Sequence, residues 1–342
     1  MSIKLFHRYI GLLLCLIMLS ISLTGVVLIW KKEYLWLSVD GARESVDTSL
    51  LAKAIENIEA SYAADEVTFV QLYSEDLSIH KVFLSGRRYA WHTQYGDKVQ
   101  VWSGNERWED FFLDLHHRFL LGNTIGLNIA GFGGLLVLLL VVLGLTLWWP
   151  RRKLIALGIR PKSFRHGALM MSHANTGAIF SLPILLLTIT GVILVYPVES
   201  RLVLLDSTGL NGPAIVEKST FDASDGLPSW AAVIELARQT FPQSSIRSVQ
   251  PSSTRSHKIS VNLQQQEGWH RLGRSSLKFH ANGDLSIQNE LAQLTAKRIF
   301  DFSYPLHTAK LGLVYRLFST LVGLGLALLS LLGLVSYLKR WS

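Results

Sequence analysis

The sequence predicts a bundle of four transmembrane helices and two small α+β domains outside the membrane, built by an internal duplication. Three observations carry this prediction: four long apolar runs, a shortage of charged residues, and an order of motifs that occurs twice. Only 17% of the 342 residues are charged, against about 25% in ordinary soluble domains. The single cysteine excludes a disulfide framework and an iron–sulfur centre held by cysteines.

Four apolar runs are each long enough to cross a hydrocarbon core, which takes about 20 helical residues. The predicted spans are 10–30, 129–149, 174–196 and 312–338. The first run follows a short basic start, but it is long and its pattern returns later in the chain, so we do not interpret it as a cleaved signal peptide. Tryptophans that favour membrane interfaces stand at span ends: Trp30, Trp148, Trp149 and Trp341.

Basic residues crowd the link between the second and third spans, and no acidic residue lies among them. By the positive-inside rule this link is cytoplasmic, which places both termini in the cytoplasm as well. Lys4 and Arg8 before the first span agree, whereas Lys31 and Lys32 after it argue weakly the other way. The basic residues of the link are Arg151, Arg152, Lys153, Arg160, Lys162 and Arg165.

The net charge of +8 is concentrated beside the spans, which excludes a nucleic-acid-binding face. Each outer segment contains an amphipathic helical stretch and alternating strand-like runs, as small α+β domains do. The predicted organisation is a first helix in 1–30, an outer domain in 31–115, a second helix in 116–150, a basic cytoplasmic loop in 151–172, a third helix in 173–197, a second outer domain in 198–306, and a fourth helix with its tail in 307–342.

The duplication is visible as matched histidines and glycines in the two halves. A histidine opens each odd-numbered span and a Thr-Gly pair closes it, while a Leu-His pair precedes each even-numbered span and a Gly-Leu pair ends it. Parallel repeats of this kind usually pack around an axis along the membrane normal. The matched residues are His7, Gly11, Thr24 and Gly25 with His173, Gly177, Thr190 and Gly191, and His116, Gly122 and Gly144 with His307, Gly312 and Gly333.

Four histidines therefore hold equivalent places. His7 and His173 stand at the cytoplasmic ends of their spans, and His116 and His307 stand before the outer ends of theirs. A two-fold arrangement brings His7 towards His173, and His116 towards His307. Two facing imidazoles in a helical bundle are what axial ligation of a b-type haem needs, so two haems are predicted. The chain has no C-x-x-C-H motif, which excludes ordinary covalent c-type attachment.

Other interpretations of these histidines stay open. A single interfacial histidine is more often solvated or hydrogen-bonded than a ligand, and zinc is a competing metal for imidazole. His117 adjoins His116 and is a second candidate for the outer site. If the 13 residues from His116 to the second apolar run are helical, the outer haem lies roughly 20 Å above that run.

The remaining polar residues are given ordinary roles. Three arginines near the candidate ligands, Arg8, Arg118 and Arg316, are candidates for pairing with haem propionates. Asp114 and Asp301 are expected to cap or orient. Surface positions are predicted for the histidines of the outer segments and of the basic link, which are His80, His92, His257, His270, His280 and His166.

In these motifs the sequence resembles the PepSY-associated transmembrane family over nearly its whole length. The resemblance rests on Leu5–Gly11, Leu23–Val26, Leu115-His116 with Gly122, Gly144–Arg151, His173 with Gly177, Thr190-Gly191 and Leu306-His307. It implies a bacterial inner-membrane protein with two PepSY-like periplasmic domains and a link to iron uptake. Similar proteins include haem-containing ferric-siderophore reductases, so the resemblance implies His7, His173, His116 and His307 as the residues to test as haem ligands.

The first functional hypothesis is a membrane electron carrier that reduces ferric iron, held by a siderophore or another chelator, on the periplasmic side. Its electron donor is another molecule, a quinol or a cytoplasmic reductase, because no nucleotide or flavin motif is visible. The second is a non-redox membrane protein whose PepSY-like domains hold a ligand or partner. A metal or siderophore permease is disfavoured because no charged residue falls in the middle of any span.

Overall fold

The structure is a computed structural model that describes residues 2–150, 159–206, 216–224, 226–292 and 295–340. The chain divides into two compact units. One contains Met1–Trp30, Trp108–Ser200 and Pro305–Ser342, and the other contains Lys31–Arg107 and Arg201–Tyr304. Four residues used in the sequence analysis, Arg151, Arg152, Lys153 and Trp341, lie outside the described residues.

The first unit holds four helices that are long and apolar enough to cross a membrane, as predicted. In hydrocarbon every backbone polar group must be bonded within the segment, and a continuous helix achieves this. The third helix begins at His166, eight residues before its predicted span. The four helical segments are α1 (Ile3–Ile29), a π-helical turn (Gly122–Gly126) that continues into α5 (Leu127–Trp148), α6 (His166–Val195) and α11 (Leu313–Leu338).

These helices form a closed ring in which α1 packs against α11 and α5, and α6 packs against the same two helices. Every helix contributes to one buried apolar core inside the ring, which excludes lipid from the bundle interior. The buried members of this core are Leu14 and Met18 of α1, Val137 of α5, Ile184 of α6 and Val322 of α11.

Two short helices carry the other candidate histidines to the bundle, α4 (Trp108–Arg118) and α10 (Ser303–His307). After α4 the chain turns sharply, because Phe119, Leu120 and Gly122 all have left-handed φ angles of 51°, 62° and 79°. Before α11 the same device recurs at Ala309 and Gly312, whose φ angles are 56° and 100°. At φ near 100° glycine is favoured because it has no Cβ.

The second unit is built on a single antiparallel sheet of nine strands. The strands are β1 (Val67–Gln71), β2 (Ile79–Leu84), β3 (Arg88–Thr93), β4 (Lys98–Ser103), β5 (Val216–Thr220), β6 (Ser245–Gln250), β7 (Lys258–Gln264), β8 (Ser275–His280) and β9 (Asp284–Gln288). Their order in the sheet is β4-β3-β2-β1-β6-β7-β8-β9-β5. Each half of the chain contributes a helix followed by a four-stranded meander, and β5, which precedes the helix of the second half, adds the strand beside β9. The remaining helices are α2 (Lys31–Ser38), α3 (Leu51–Ala60), α7 (Pro197–Arg201), α8 (Trp230–Thr240) and α9 (Thr295–Asp301).

The two predicted outer domains differ from this arrangement, because the two segments share one sheet and one core. Strand β1 pairs with β6, with Val70 opposite Val249, so the two meanders continue into each other. Helices α3 and α8 contact each other, and Ile55 and Val233 belong to the same buried cluster. Joining the meanders covers a strand edge that each would otherwise expose, which explains why one unit forms.

The prediction of surface positions is wrong for two histidines of this sheet. His80 and His92 stand opposite each other on β2 and β3 and are completely buried. The Nδ1 of His80 accepts a hydrogen bond from the Tyr73 N–H at 3.1 Å, and the ring nitrogens of His92 lie 2.8 Å from Tyr62 Oη and 2.8 Å from the Gly96 carbonyl. Hydrogen bonds to the backbone and to a tyrosine lower the free-energy cost of burying these polar rings. The hydropathy of the sequence does not reveal these partners.

We expect His80 to make the stability of the chain fall as the solution is acidified. Burial, with His92 nearby, lowers the pKa of His80 to about 3. The unfolded chain, with a histidine pKa of about 6.5, therefore binds a proton first, so stability is lost as the pH falls from 6.5 towards 3. His80 alone should cost about 2 kcal/mol between pH 7 and pH 5. The thermal midpoint of purified His80→Gln should depend less on pH over this range than that of the exposed control His257→Gln; equal dependence would contradict the assignment.

Candidate functional site

The first pair of predicted histidines meets inside the bundle. His7 of α1 and His173 of α6 have ring centroids 6.3 Å apart, with their planes at 77°. The His173 ring lies against α11, where its Nδ1 is 3.1 Å from the Leu329 carbonyl oxygen. Each of the two predicted repeats thus supplies one imidazole to this site, which we call the His7–His173 pair.

The second pair also forms. His116 of α4 and His307 of α10 have ring centroids 6.2 Å apart, at 48°. The Nδ1 of His116 lies 3.0 Å from the Ile21 carbonyl oxygen, and the Nδ1 of His307 lies 2.9 Å from the Leu187 carbonyl oxygen. The same nitrogens lie 3.0 Å and 3.4 Å from the hydroxyls of Thr24 and Thr190. We call this site the His116–His307 pair.

All four rings dock on a neighbouring helix by the same device. Each ring occupies space on the neighbouring helix that is open because the residue there is a glycine. In three of the four rings, Nδ1 lies near the backbone carbonyl of the residue four positions before that glycine. The position of a Cβ added to the glycine would be only 2.7–3.3 Å from the Cε1 of the ring. The combinations are His7 on Gly144, His173 on Gly333, His116 on Gly25 and His307 on Gly191.

His7 differs from the other three in one respect. Its Nδ1 is buried and has no hydrogen bond of good geometry within the described part of the chain. The acceptor at the corresponding place is the carbonyl of Leu140, four residues before Gly144, which faces the ring.

A hydrogen bond from Nδ1–H to a carbonyl fixes both the orientation and the tautomer of an imidazole. The proton then resides on Nδ1, and Nε2 keeps the lone pair that binds metals. Burial, with His117 and His307 nearby, lowers the pKa of His116 to about 3, and burial lowers the pKa of His307. Both rings are therefore neutral at pH 7, which is the form of histidine that binds a metal.

The second pair lies deeper than a straight helix from His116 would place it. The left-handed turn at Phe119 and Leu120 reverses the chain, so His116 packs against Gly25, four residues before the end of α1. The stretch from His116 to the second apolar run is therefore not one continuous helix, and the estimate of roughly 20 Å for a helical stretch does not apply. On α1, 18 residues separate His7 from Gly25, and the same number separates His173 from Gly191 on α6. This corresponds to roughly 27 Å along each helix between the two histidine pairs.

His117 stands beside the second pair. Its ring centroid is 5.6 Å from that of His116, and the residue is exposed. Successive residues of a helix point about 100° apart, so only one of the two can face α1. The residue that docks on α1 and meets His307 is His116.

The candidate arginines already have partners in the protein. Arg118 pairs with Asp114 at 2.6 Å, and a guanidinium nitrogen of Arg316 donates to the Ile29 carbonyl at 2.7 Å. Arg8 lies over the ring of Tyr9, with its Nε buried and without a hydrogen-bond partner among the described residues. Asp301 pairs with Arg274 in the sheet unit, at 3.0 Å.

The sequence did not identify these four glycines as docking positions for imidazoles. Gly25, Gly191, Gly144 and Gly333 all belong to the repeated motifs, and so do Thr24 and Thr190. Their repetition at fixed spacing was the available signal, but helix packing alone also explains recurring glycines. The carbonyl acceptors on Ile21, Leu187 and Leu329 have no signal at all, because every residue carries a carbonyl.

The other histidines are not drawn into either pair. His257 is exposed, His270 and His280 are half-buried, and the exposed His166 has its Nδ1 2.9 Å from the Ser336 carbonyl. Across the described ranges, no three residues of the types His, Cys, Asp and Glu converge as a metal-binding group.

Comparison with known proteins places the whole chain in one family. The family model described as "PepSY-associated TM region" matches residues 5–340. A search of curated proteins found no match. The match extends from α1 to the end of α11 and includes both histidine pairs and the sheet unit. The chain therefore belongs to the PepSY-associated transmembrane family.

Proposed function

We propose that this protein carries electrons across the bacterial inner membrane through two b-type haems and reduces ferric iron, held by a siderophore or another chelator, on the periplasmic side. The observation that carries the proposal is the pair of sites in which two imidazoles meet. Haem, when bound, supplies an iron that alternates between the ferric and ferrous states and so accepts and releases single electrons.

The donor set fits haem. Each pair offers two imidazoles, which would hold a haem iron as its protein ligands. The two ring centroids of each pair lie 6.3 Å and 6.2 Å apart, so one bound group would be within reach of both rings. A structural zinc site would instead take four ligands of its own from the protein.

The chain's contribution to the chemistry is to hold and tune the ligands. The backbone carbonyls keep the three bonded Nδ1 atoms protonated, and the docking glycines let the rings approach the neighbouring helix. A hydrogen bond from the Nδ1–H of a ligating imidazole to a carbonyl makes the imidazole more electron-rich, which would favour the ferric state of a bound iron. The apolar core around Met18 and Ile184 lies between the two levels and excludes water from the route.

The overall reaction transfers one electron to each ferric ion and yields a ferrous ion, which hard oxygen chelators hold less tightly. The electrons come from a membrane quinol, which releases two electrons and two protons on oxidation, or from a cytoplasmic reductase. The two proposed haem levels are separated by roughly 27 Å along the helices.

We expect the purified protein to have the absorption spectrum of low-spin haem with two histidine ligands. A Soret band and sharp α and β bands should appear on reduction with dithionite, in protein from cells supplied with haem. A ferric chelate should then reoxidise the reduced protein. A spectrum without haem bands would contradict the proposal, and would favour a non-redox role in which the sheet unit holds a ligand.

The orientation of the chain is tested separately. Arg160, Lys162 and Arg165 are exposed in the link before α6, and we expect this link to be cytoplasmic. Cysteines placed in 159–165 should resist a membrane-impermeant thiol reagent in right-side-out cells, after replacement of the native Cys15. Cysteines at exposed positions of β5, such as Lys218→Cys, should react. The reverse labelling pattern would invert the proposed topology.

A further inference from the structure

A cluster of cations lies in the sheet unit. Arg201 ends α7, Lys297 belongs to α9, and Arg274 immediately precedes β8. Phe300 and Asp301 of α9 complete the cluster. The Arg201 guanidinium carbon lies 6.0 Å from the centre of the Phe300 ring, and Arg274 pairs with the buried Asp301 at 3.0 Å.

The cations of this cluster outnumber the carboxylates. Asp301 is committed to Arg274, and the buried Glu290 accepts the backbone N–H of Arg274 at 3.4 Å. The neighbouring Arg298 has its own partner, Glu267, at 3.2 Å. Neither Arg201 nor Lys297 forms an ion pair within the part of the chain that the structure describes. Three cations therefore face two carboxylates.

Two donors in the cluster have no acceptor. The Nε atoms of Arg201 and Arg274 are both buried and lack a hydrogen-bond partner among the described residues. A buried donor without an acceptor is unfavourable, and more so when the group is charged. Burial lowers the pKa of Lys297, and Arg201 and Arg274 lower it further, whereas Asp301 opposes them. An added anion would relieve both the unmet donors and the repulsion among the cations.

We propose that Arg201, Lys297 and Arg274 form a binding site for a phosphate group. Guanidinium groups bind phosphate oxygens through paired N–H donors, and a lysine ammonium adds a point charge. The phosphate has two available sources, inorganic phosphate and a phospholipid headgroup. A headgroup is one of the sources because Arg201 follows α6, a helix able to cross a membrane, by six residues along the chain. This site is independent of haem binding and of electron transfer.

The test uses the purified full chain in phosphate-free detergent, with thermal unfolding as the readout. Inorganic phosphate at constant ionic strength, with chloride as the reference, is the first probe. The second probe is a nanodisc of phosphatidylcholine with or without phosphatidylglycerol. The test variant is Arg201→Gln with Lys297→Gln, and the matched control is Lys218→Gln in the exposed strand β5. Lys297→Arg keeps the charge and serves as the rescue.

We expect phosphate or phosphatidylglycerol to raise the unfolding midpoint of the wild type, the control and Lys297→Arg. In the double variant the apparent affinity should fall roughly tenfold or more. A response to inorganic phosphate identifies a soluble ligand, and a response to phosphatidylglycerol alone identifies a headgroup. No response to either probe, or a response that the double variant retains, would overturn the site. If the wild-type protein shows haem bands but does not respond to phosphate or phosphatidylglycerol, the phosphate site is wrong while the proposed function stands.

Discussion

Replacing either member of a histidine pair by alanine should remove one haem and leave the other in place. His7→Ala and His173→Ala should have the same effect, because each deletes one of the two imidazoles that face each other at 6.3 Å. His116→Ala and His307→Ala should likewise match each other. We expect each variant to keep about half of the haem absorbance of the wild type, by the pyridine haemochrome assay, if the proposed two sites bind equally.

The control for these variants is His166→Ala. His166 lies at the start of α6, bonds the Ser336 carbonyl and belongs to neither pair, so its loss should leave the haem content unchanged. The variants of the His116–His307 pair should also lose reduction of a ferric chelate while the other haem remains. Losses that group His7 with His307, and leave His173→Ala unaffected, would show that the proposed pairing is wrong.

Adding a single methyl group at the docking glycines should disturb the second site in a graded way. An alanine Cβ at Gly191 would stand 2.7 Å from the His307 Cε1, closer than carbon atoms pack, whereas at Gly25 it would stand 3.1 Å from the His116 Cε1. Overpacking of this kind typically costs about 1–3 kcal/mol, and here the ring must leave its carbonyl to relieve it. Gly191→Ala should therefore lower the occupancy of the second haem more than Gly25→Ala does.

Gly11→Ala is the matched control, since Gly11 lies in α1 and nothing stands within 4 Å of its added Cβ. Haem content and the midpoint potential of each haem should be unchanged in this variant. Redox titration of all three variants gives the comparison. If Gly11→Ala lowers haem content as much as Gly191→Ala, the glycines serve helix packing in general and the docking account fails.

The sequence was most informative where the chain must satisfy the membrane. Four apolar runs predicted the four helices, because length and composition alone decide whether a helix can cross a bilayer. The spacing of His7 with His173 and of His116 with His307 also predicted which rings meet, since repeated positions become neighbours when repeats pack about an axis. Whether these rings bind haem stays a prediction.

Other features depended on tertiary contacts that no local pattern records. The pairing of β1 with β6 joins segments separated by about half the chain, so one sheet could not be told from two small ones. The buried His80 and His92 were assigned to the surface because their partners, Tyr73 and Tyr62, are recruited by the fold. The left-handed φ at Phe119 and Leu120 is uncommon outside glycine, and it moved the His116 site towards the bundle.

The most direct measurement of the central claim is the haem-to-protein ratio in two double variants. Our account predicts that His7→Ala with His173→Ala keeps about one haem per chain, like either single variant, because both residues serve one site. His7→Ala with His116→Ala should keep none, because one ligand of each site is lost. The account is contradicted if the first double variant loses all haem or if the second keeps as much haem as the first.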